Sequence, residues 1–137
     1  MEHYTGSCLC GGIQYEIRGE LAPVQICHCQ QCRKAQGAAL VTNIPVPTDQ
    51  FSMTQGEDLL KVFESSPGKQ RVFCNRCGSP ILSRLESLPG VVRIRAGTLD
   101  GEPPLRLMDH AYVGSKASWW PIIDDLPRLE GGRPPKR

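Results

Sequence analysis

All seven cysteines of this 137-residue chain lie in three tight clips, Cys8-x-Cys10, Cys27-x-Cys29-x-x-Cys32 and Cys74-x-x-Cys77. Few features restrict a fold more. Thiols at these spacings converge on a metal ion from short stretches of backbone, and a bound ion ties together the segments that supply them. Disulfides are the competing explanation. They fit poorly, because an odd count strands one thiol and the cysteines of a Cys-x-Cys pair are badly placed to bridge each other.

The clips work in different ways. In extended backbone, residues i and i+2 point to the same side. Cys8 and Cys10 then present two thiolates to one ion, as do Cys27 and Cys29, while the middle residues Leu9 and His28 point away. That makes His28 a poor ligand despite its chemistry. A Cys-x-x-Cys pair needs a folded knuckle, and Cys74-Asn75-Arg76-Cys77-Gly78 suits one because Asn and Gly tolerate its dihedrals. Pairing Cys8 and Cys10 with Cys74 and Cys77 gives a four-thiolate structural site that joins distant parts of the sequence.

Cys27, Cys29 and Cys32 remain as a self-contained triad. Three protein ligands with one position to spare is the pattern of a catalytic zinc site. The same spacing is compatible with a triad closed by water, histidine or carboxylate, or with one that stays metal-free.

Composition narrows the function classes. Hydrophobic residues make up 39% and charged residues 22% of the chain, ordinary values for one globular domain with a modest core. A formal charge of +2, with Lys and Arg scattered, argues against nucleic acid as a partner. No apolar run approaches the roughly 18 residues of a membrane span, so no membrane partner is expected. Met1-Glu2-His3-Tyr4-Thr5 lacks the features of a secretory signal. The expected location is cytoplasmic, where thiols persist as ligands.

Twelve prolines and fourteen glycines cut the chain into short segments. Ile13, Tyr15 and Ile17 alternate with polar residues, as do Val92, Ile94 and Ala96 with Arg93 and Arg95. Further strands are expected at 24–28, 39–46, 51–54, 59–64, 70–73, 81–85 and 108–113. One short helix is expected near residues 31–36, stopped by Gly37. The pattern predicts an all-β sandwich or partial barrel, a single domain over residues 1–130, and a flexible basic tail over 131–137.

Gly6-Ser7-Cys8-Leu9-Cys10-Gly11-Gly12, the run Cys27-His28-Cys29-Gln30-Gln31-Cys32-Arg33-Lys34-Ala35-Gln36-Gly37, and Phe73-Cys74-Asn75-Arg76-Cys77-Gly78 resemble the GFA family. Its members are the glutathione-dependent formaldehyde-activating enzymes and the related CENP-V-type zinc domains. Lys116-Ala117-Ser118-Trp119-Trp120 through Asp125-Leu126-Pro127 is similar to that family's C-terminal end. The resemblance implies a compact all-β fold of several small sheets with two zinc ions per chain. Cys8, Cys10, Cys74 and Cys77 would hold the structural ion, and Cys27, Cys29 and Cys32 the catalytic one. The implied activity is that of a carbon–sulfur lyase joining glutathione, or another small thiol, to an aldehyde-type electrophile. The alternative is a non-catalytic zinc module that binds a thiol or a protein; a redox-sensing triad is a third reading.

Other residues enter as candidates. Three thiolates on a divalent zinc leave a charge of −1, and a fourth makes it −2, which calls for nearby cations or N–H donors. Arg33 and Lys34 follow the triad and are expected to tune it or bind a substrate carboxylate, unless both are solvated surface cations. His110, on one strand face with Tyr112, is a candidate proton donor or acceptor and substrate contact, or else a hydrogen-bonded core histidine. Trp119 and Trp120 are expected to anchor the C-terminal segment or wall a pocket, and Arg93 and Arg95 to face solvent or an acidic substrate.

Overall fold

A computed structural model of the chain describes residues 2–133. It is mostly β, as expected. The strands are β1 (His3–Ser7), β2 (Gln14–Arg18), β3 (Val24–Cys27), β4 (Val41–Pro47), β5 (Phe51–Gln55), β6 (Leu60–Ser66), β7 (Lys69–Cys74), β8 (Pro80–Leu85), β9 (Val91–Arg95) and β10 (Leu107–Ala111). The helix α1 spans Gln30–Gln36 and ends on Gly37 in the left-handed conformation. Two compact units share the chain: residues up to Ala22 with Ile44–Pro104, and Pro23–Asn43 with residues from Leu105 on.

In the first unit, β1, β2 and β5 form an antiparallel sheet. The alternation along β2 does what the sequence demands: Ile13, Tyr15 and Ile17 are fully buried. Each contributes about 1.5–3 kcal/mol of hydrophobic stabilisation. The β1 strand was not legible, because its five residues, His-Tyr-Thr-Gly-Ser, carry no apolar alternation. Its Gly6 lies opposite Tyr15. The Tyr15 ring occupies the space a side chain would need there, and a Cβ on Gly6 would come within 2.1 Å of it. Tyr15 also makes a 2.6 Å hydrogen bond with the Thr98 hydroxyl and packs 5.3 Å, centroid to centroid, from Phe51.

Strands β6 to β9 form an antiparallel meander in the same unit, burying Val72, Ile81, Leu82, Val92 and Ile94. The expectation for Arg95 needs correction. It is buried and donates to Ser83 Oγ at 3.2 Å and to the Arg93 carbonyl at 3.4 Å, so it does not share a solvent face.

The second unit is built around β3, which pairs parallel with β10 and antiparallel with β4. The chain after Asp125 runs beside β10. His110 N donates to the Pro127 carbonyl, Leu129 N to the His110 carbonyl, and Tyr112 N to the Gly131 carbonyl, at 2.8–3.0 Å. Arg133 pairs with Asp109 and donates to the Ile26 carbonyl at 3.2 Å. The first residues of the expected tail are therefore tied to β3 and β10; the remainder, 134–137, lies outside the described residues.

Replacing Gly6 with alanine is expected to cost about 1–3 kcal/mol, because the Tyr15 ring cannot yield without losing its buried position. Thermal unfolding followed by circular dichroism reads this as a lower midpoint. An unchanged midpoint would show that the ring does not rest on Gly6.

Candidate metal centre

Two groups of thiols come together, each within one unit: Cys8, Cys10, Cys74 and Cys77 in the first, Cys27, Cys29 and Cys32 in the second. Within each group the sulfurs all lie within 4.8 Å of one another. None is disulfide-bonded.

The four-cysteine group is assembled from two turns. Cys8 and Cys10 leave the end of β1 in a turn rather than in the extended strand expected, yet their sulfurs are 3.5 Å apart. Leu9 points to solvent, 89% exposed, as the spacing implied. Cys74 closes β7, and the backbone after it folds into the expected knuckle. Arg76 N and Cys77 N both donate to Cys74 Sγ, at 3.4 and 3.5 Å, and Gly78 N donates to the Cys74 carbonyl at 2.8 Å. Gly78, with φ of 79°, takes the left-handed position that closes the loop. Cys10 and Cys74 sulfurs are 3.9 Å apart. Tetrahedral coordination with metal–sulfur bonds of about 2.3 Å puts ligand sulfurs roughly 3.8 Å apart, so these separations fit a metal ion.

The surroundings prepare these thiols to ionise. The Ser79 hydroxyl and backbone N–H groups hold Cys77 down to about 5, so it is a thiolate at neutral pH. The Gly12 N–H and the Arg76 guanidinium lower Cys10. Burial raises Cys8, which nonetheless receives the Ile13 N–H at 3.3 Å. Ser79 also receives the Leu9 N–H at 3.0 Å, linking the two turns. Neither Ser79 nor Arg76 was singled out from sequence, since nothing in local spacing marks a neighbour that only the folded turns bring close.

The triad sits where β3 passes into α1. Cys27 ends the strand, and Cys29 caps the helix, its extended backbone (φ −64°, ψ 150°) letting Sγ accept the Cys32 N–H at 3.3 Å. Cys32 is buried on the helix. Hydrogen bonding with Cys32, followed by burial, pushes the Cys27 thiol up. Three thiolates cannot share this space without a cation. Among the described residues, no further His, Cys, Asp or Glu joins these three with a ligand atom in range. The soft thiolate donors and the helix N–H on Cys29 fit a metal ion.

His28 stays out of that cluster, and its ring is fully buried on the other side. It meets His110: His28 Nε2 lies 2.8 Å from His110 Nδ1, and His110 Nε2 lies 2.9 Å from Asp124 Oδ2. Both ring nitrogens of His110 thus lie within hydrogen-bond distance of protein side chains, and the ring is buried. Tyr112 does not share its face; it lies past the end of β10 with φ of 57°. Asp124 was missed. Its carboxyl is lowered chiefly by the hydrogen bond from His110.

Arg33 is half-buried and donates from Nη1 to the Ser115 carbonyl at 3.1 Å, while its Nε is buried without a partner. Lys34 is exposed. In the C-terminal segment, Trp119 and Trp120 are 64% and 42% exposed and pack edge-to-face on each other. Lys116 Nζ, which donates to the Ala117 and Trp120 carbonyls, and Arg128, which donates to the Ile122 and Asp124 carbonyls, hold that segment.

A small β fold carrying one four-cysteine cluster and one three-cysteine cluster defines the class. The family described as glutathione-dependent formaldehyde-activating enzyme, GFA, matches residues 3–115, and the chain belongs to it. A relative in Aspergillus flavus, named for glutathione-dependent formaldehyde activation, is 30% identical over 116 residues, 82% of this chain and 53% of its own. One in Halomonas elongata, with the same name, is 28% identical over 125 residues, 83% of this chain and 77% of its own. The chain thus spans about half the length of the fungal relative. A crystal structure of a Rhodobacter sphaeroides protein matches with a TM-score of 0.61 over 73% of this chain and 91% of that one, at 23% identity, a likeness of fold alone.

Cys74→Ser is expected to unfold the protein, because structural zinc sites are worth roughly 10–16 kcal/mol, as much as a domain's whole stability. Cys29→Ser is expected to stay folded and to carry one metal ion fewer than the wild type. Circular dichroism and elemental analysis of the purified proteins read both. Equal folding of the two variants would overturn the division into structural and reactive clusters.

Proposed function

We propose that the chain is a zinc-dependent carbon–sulfur lyase with two zinc ions, which forms and cleaves adducts of glutathione or a similar small thiol with formaldehyde or a related aldehyde. The observation that carries the reading is the triad: three converging thiols and no fourth protein ligand among the described residues. Family membership supports glutathione and formaldehyde as the substrates. The reading places the chain in the cytoplasm, where glutathione is abundant and thiols stay reduced.

When bound, the zinc ion supplies Lewis acidity and lowers the pKa of a thiol that joins its shell. The residues of the chain do the rest. Cys27, Cys29 and Cys32 would hold the ion and leave room for a further ligand. Arg33, beside the triad on α1, offers a buried Nε–H with no partner, suited to a glutathione carboxylate or a developing alkoxide. Lys34, exposed on the same helix, adds positive charge for an anionic substrate. In the forward direction a carbon–sulfur bond forms between the thiol sulfur and the carbonyl carbon. The carbonyl π pair moves to oxygen, which takes the proton the thiol gave up, and the product is a hydroxymethyl thioether. The reverse step breaks that bond and returns both partners.

The alternative, a non-catalytic zinc module binding a protein, draws on the exposed Trp119, Trp120 and Ile123. Exchange spectroscopy with carbon-13 formaldehyde and glutathione separates the two. The wild type is expected to speed interconversion of free thiol and S-hydroxymethylglutathione, and Cys29→Ser to return it to the rate in buffer. A wild-type rate no faster than buffer would remove the lyase reading and leave the module.

A further inference from the structure

His28 is held between two triad cysteines, yet its ring turns away from them into the protein. There it begins a line of hydrogen bonds that crosses three segments distant in sequence. His28 Nε2 lies 2.8 Å from His110 Nδ1, and the two rings are 5.0 Å apart and inclined by 31°. His110 Nε2 reaches both Asp124 oxygens, at 2.9 and 3.1 Å. Asp124 Oδ1 is fixed in turn by the Leu126 N–H at 3.0 Å. The backbone reinforces the line, with His28 N donating to the Ala111 carbonyl at 3.0 Å and His110 facing Ile26 across the parallel pair.

Direction follows from elementary valence. An ionised carboxylate only accepts, so the proton between His110 and Asp124 sits on His110 Nε2. Burial disfavours charge on His28. With His110 neutral, its Nδ1 is a bare acceptor and His28 Nε2 donates to it; with His110 protonated, its Nδ1–H donates to His28 Nε2 instead. Either assignment satisfies every contact in the line and leaves His28 Nδ1 without a partner although the ring is fully buried. Turning the ring over would break the bond to His110, so Asp124 locks the orientation of His28 from the far end.

We propose that His28, His110 and Asp124 form a positioning chain for the triad, fixing the Cys27–Cys29 segment so that two of its three sulfurs are held ready for the metal. The inference rests on the reading of the triad as a metal site. None of the three residues touches the ion or the substrate; each acts through the backbone between Cys27 and Cys29. Their effect is on how tightly the triad holds its metal, and it is independent of the four-cysteine cluster in the other unit. Outer residues that orient metal ligands commonly change affinity by about 10–100-fold, and a positioning chain one residue removed from two ligands belongs on that scale.

The test is a competition titration of the full-length, metal-stripped protein with zinc against a chromophoric chelator, which resolves a tight and a weaker phase. Asp124→Ala is expected to weaken the triad phase by about tenfold or more and to leave the four-cysteine phase unchanged. The Asp124 side chain is 39% exposed, so its truncation leaves no core cavity. Asp124→Asn keeps an acceptor oxygen and is expected to recover most of the lost affinity. Nitrogen-15 spectra of the imidazoles give a second readout: His110 is expected to carry a proton at Nε2 in the wild type, facing Asp124, and the Asp124→Ala spectrum is expected to lose that preference. A lower melting temperature with unchanged triad affinity would reduce the line to a structural contact and overturn the proposal. A wild type with only one metal phase would strike down the metal reading of the triad, and this inference with it.

Discussion

Thiolates repel. Two negative sulfurs 3.5 Å apart, the separation of Cys8 and Cys10, oppose each other by roughly 5 kcal/mol at an effective dielectric constant of about 20. A cluster of four multiplies that cost several times, and a domain of this size has only about 5–15 kcal/mol of net stability to set against it. A divalent cation reverses the sign of the whole account. The turns at Cys8–Cys10 and Cys74–Cys77 suit such an ion, and the N–H groups aimed at Cys74 and the Arg76 guanidinium beside Cys10 suit the net negative charge that four thiolates would leave on it. The first unit is in this respect a small pair of sheets organised by its ligands.

The second cluster obeys the same electrostatics with one ligand fewer. That difference gives the chain a direction of chemistry. On the proposed reading, four sulfurs close a metal shell and that ion contributes only to folding, while three leave a place for a sulfur from outside. The sheet supplies Cys27, the helix start supplies Cys29 and its first turn supplies Cys32, so the three ligands come from one continuous stretch. Such a site needs support from elsewhere to stay rigid. The His28–His110–Asp124 line brings that support from β10 and the segment beyond it.

Much of this was legible in the sequence because metal ligands and alternating strands are local signals. The spacing of the cysteines separated four from three, Ile13, Tyr15 and Ile17 announced β2, and Gly37 marked the end of α1. What could not be read depended on contacts far apart along the chain. The β1 strand hides behind a glycine whose place is filled by Tyr15 from its neighbour. The spacing turned His28 away from the triad, but its partner lies 82 residues away across a parallel pairing that no local pattern encodes. Arg95 looked like a surface residue because alternation places it on the same face as Arg93, whereas it is buried and donates to the Ser83 hydroxyl and the Arg93 carbonyl.

The central claim is that the protein leaves one metal shell for an incoming sulfur to finish. Cadmium-113 resonance of the cadmium-loaded protein reports the two sites separately, since the signal moves with the number of sulfur ligands. One resonance is expected at the all-sulfur position throughout, and a second is expected to move there only when glutathione is added. Two all-sulfur resonances without any added thiol, or a second resonance indifferent to saturating glutathione, would contradict the account.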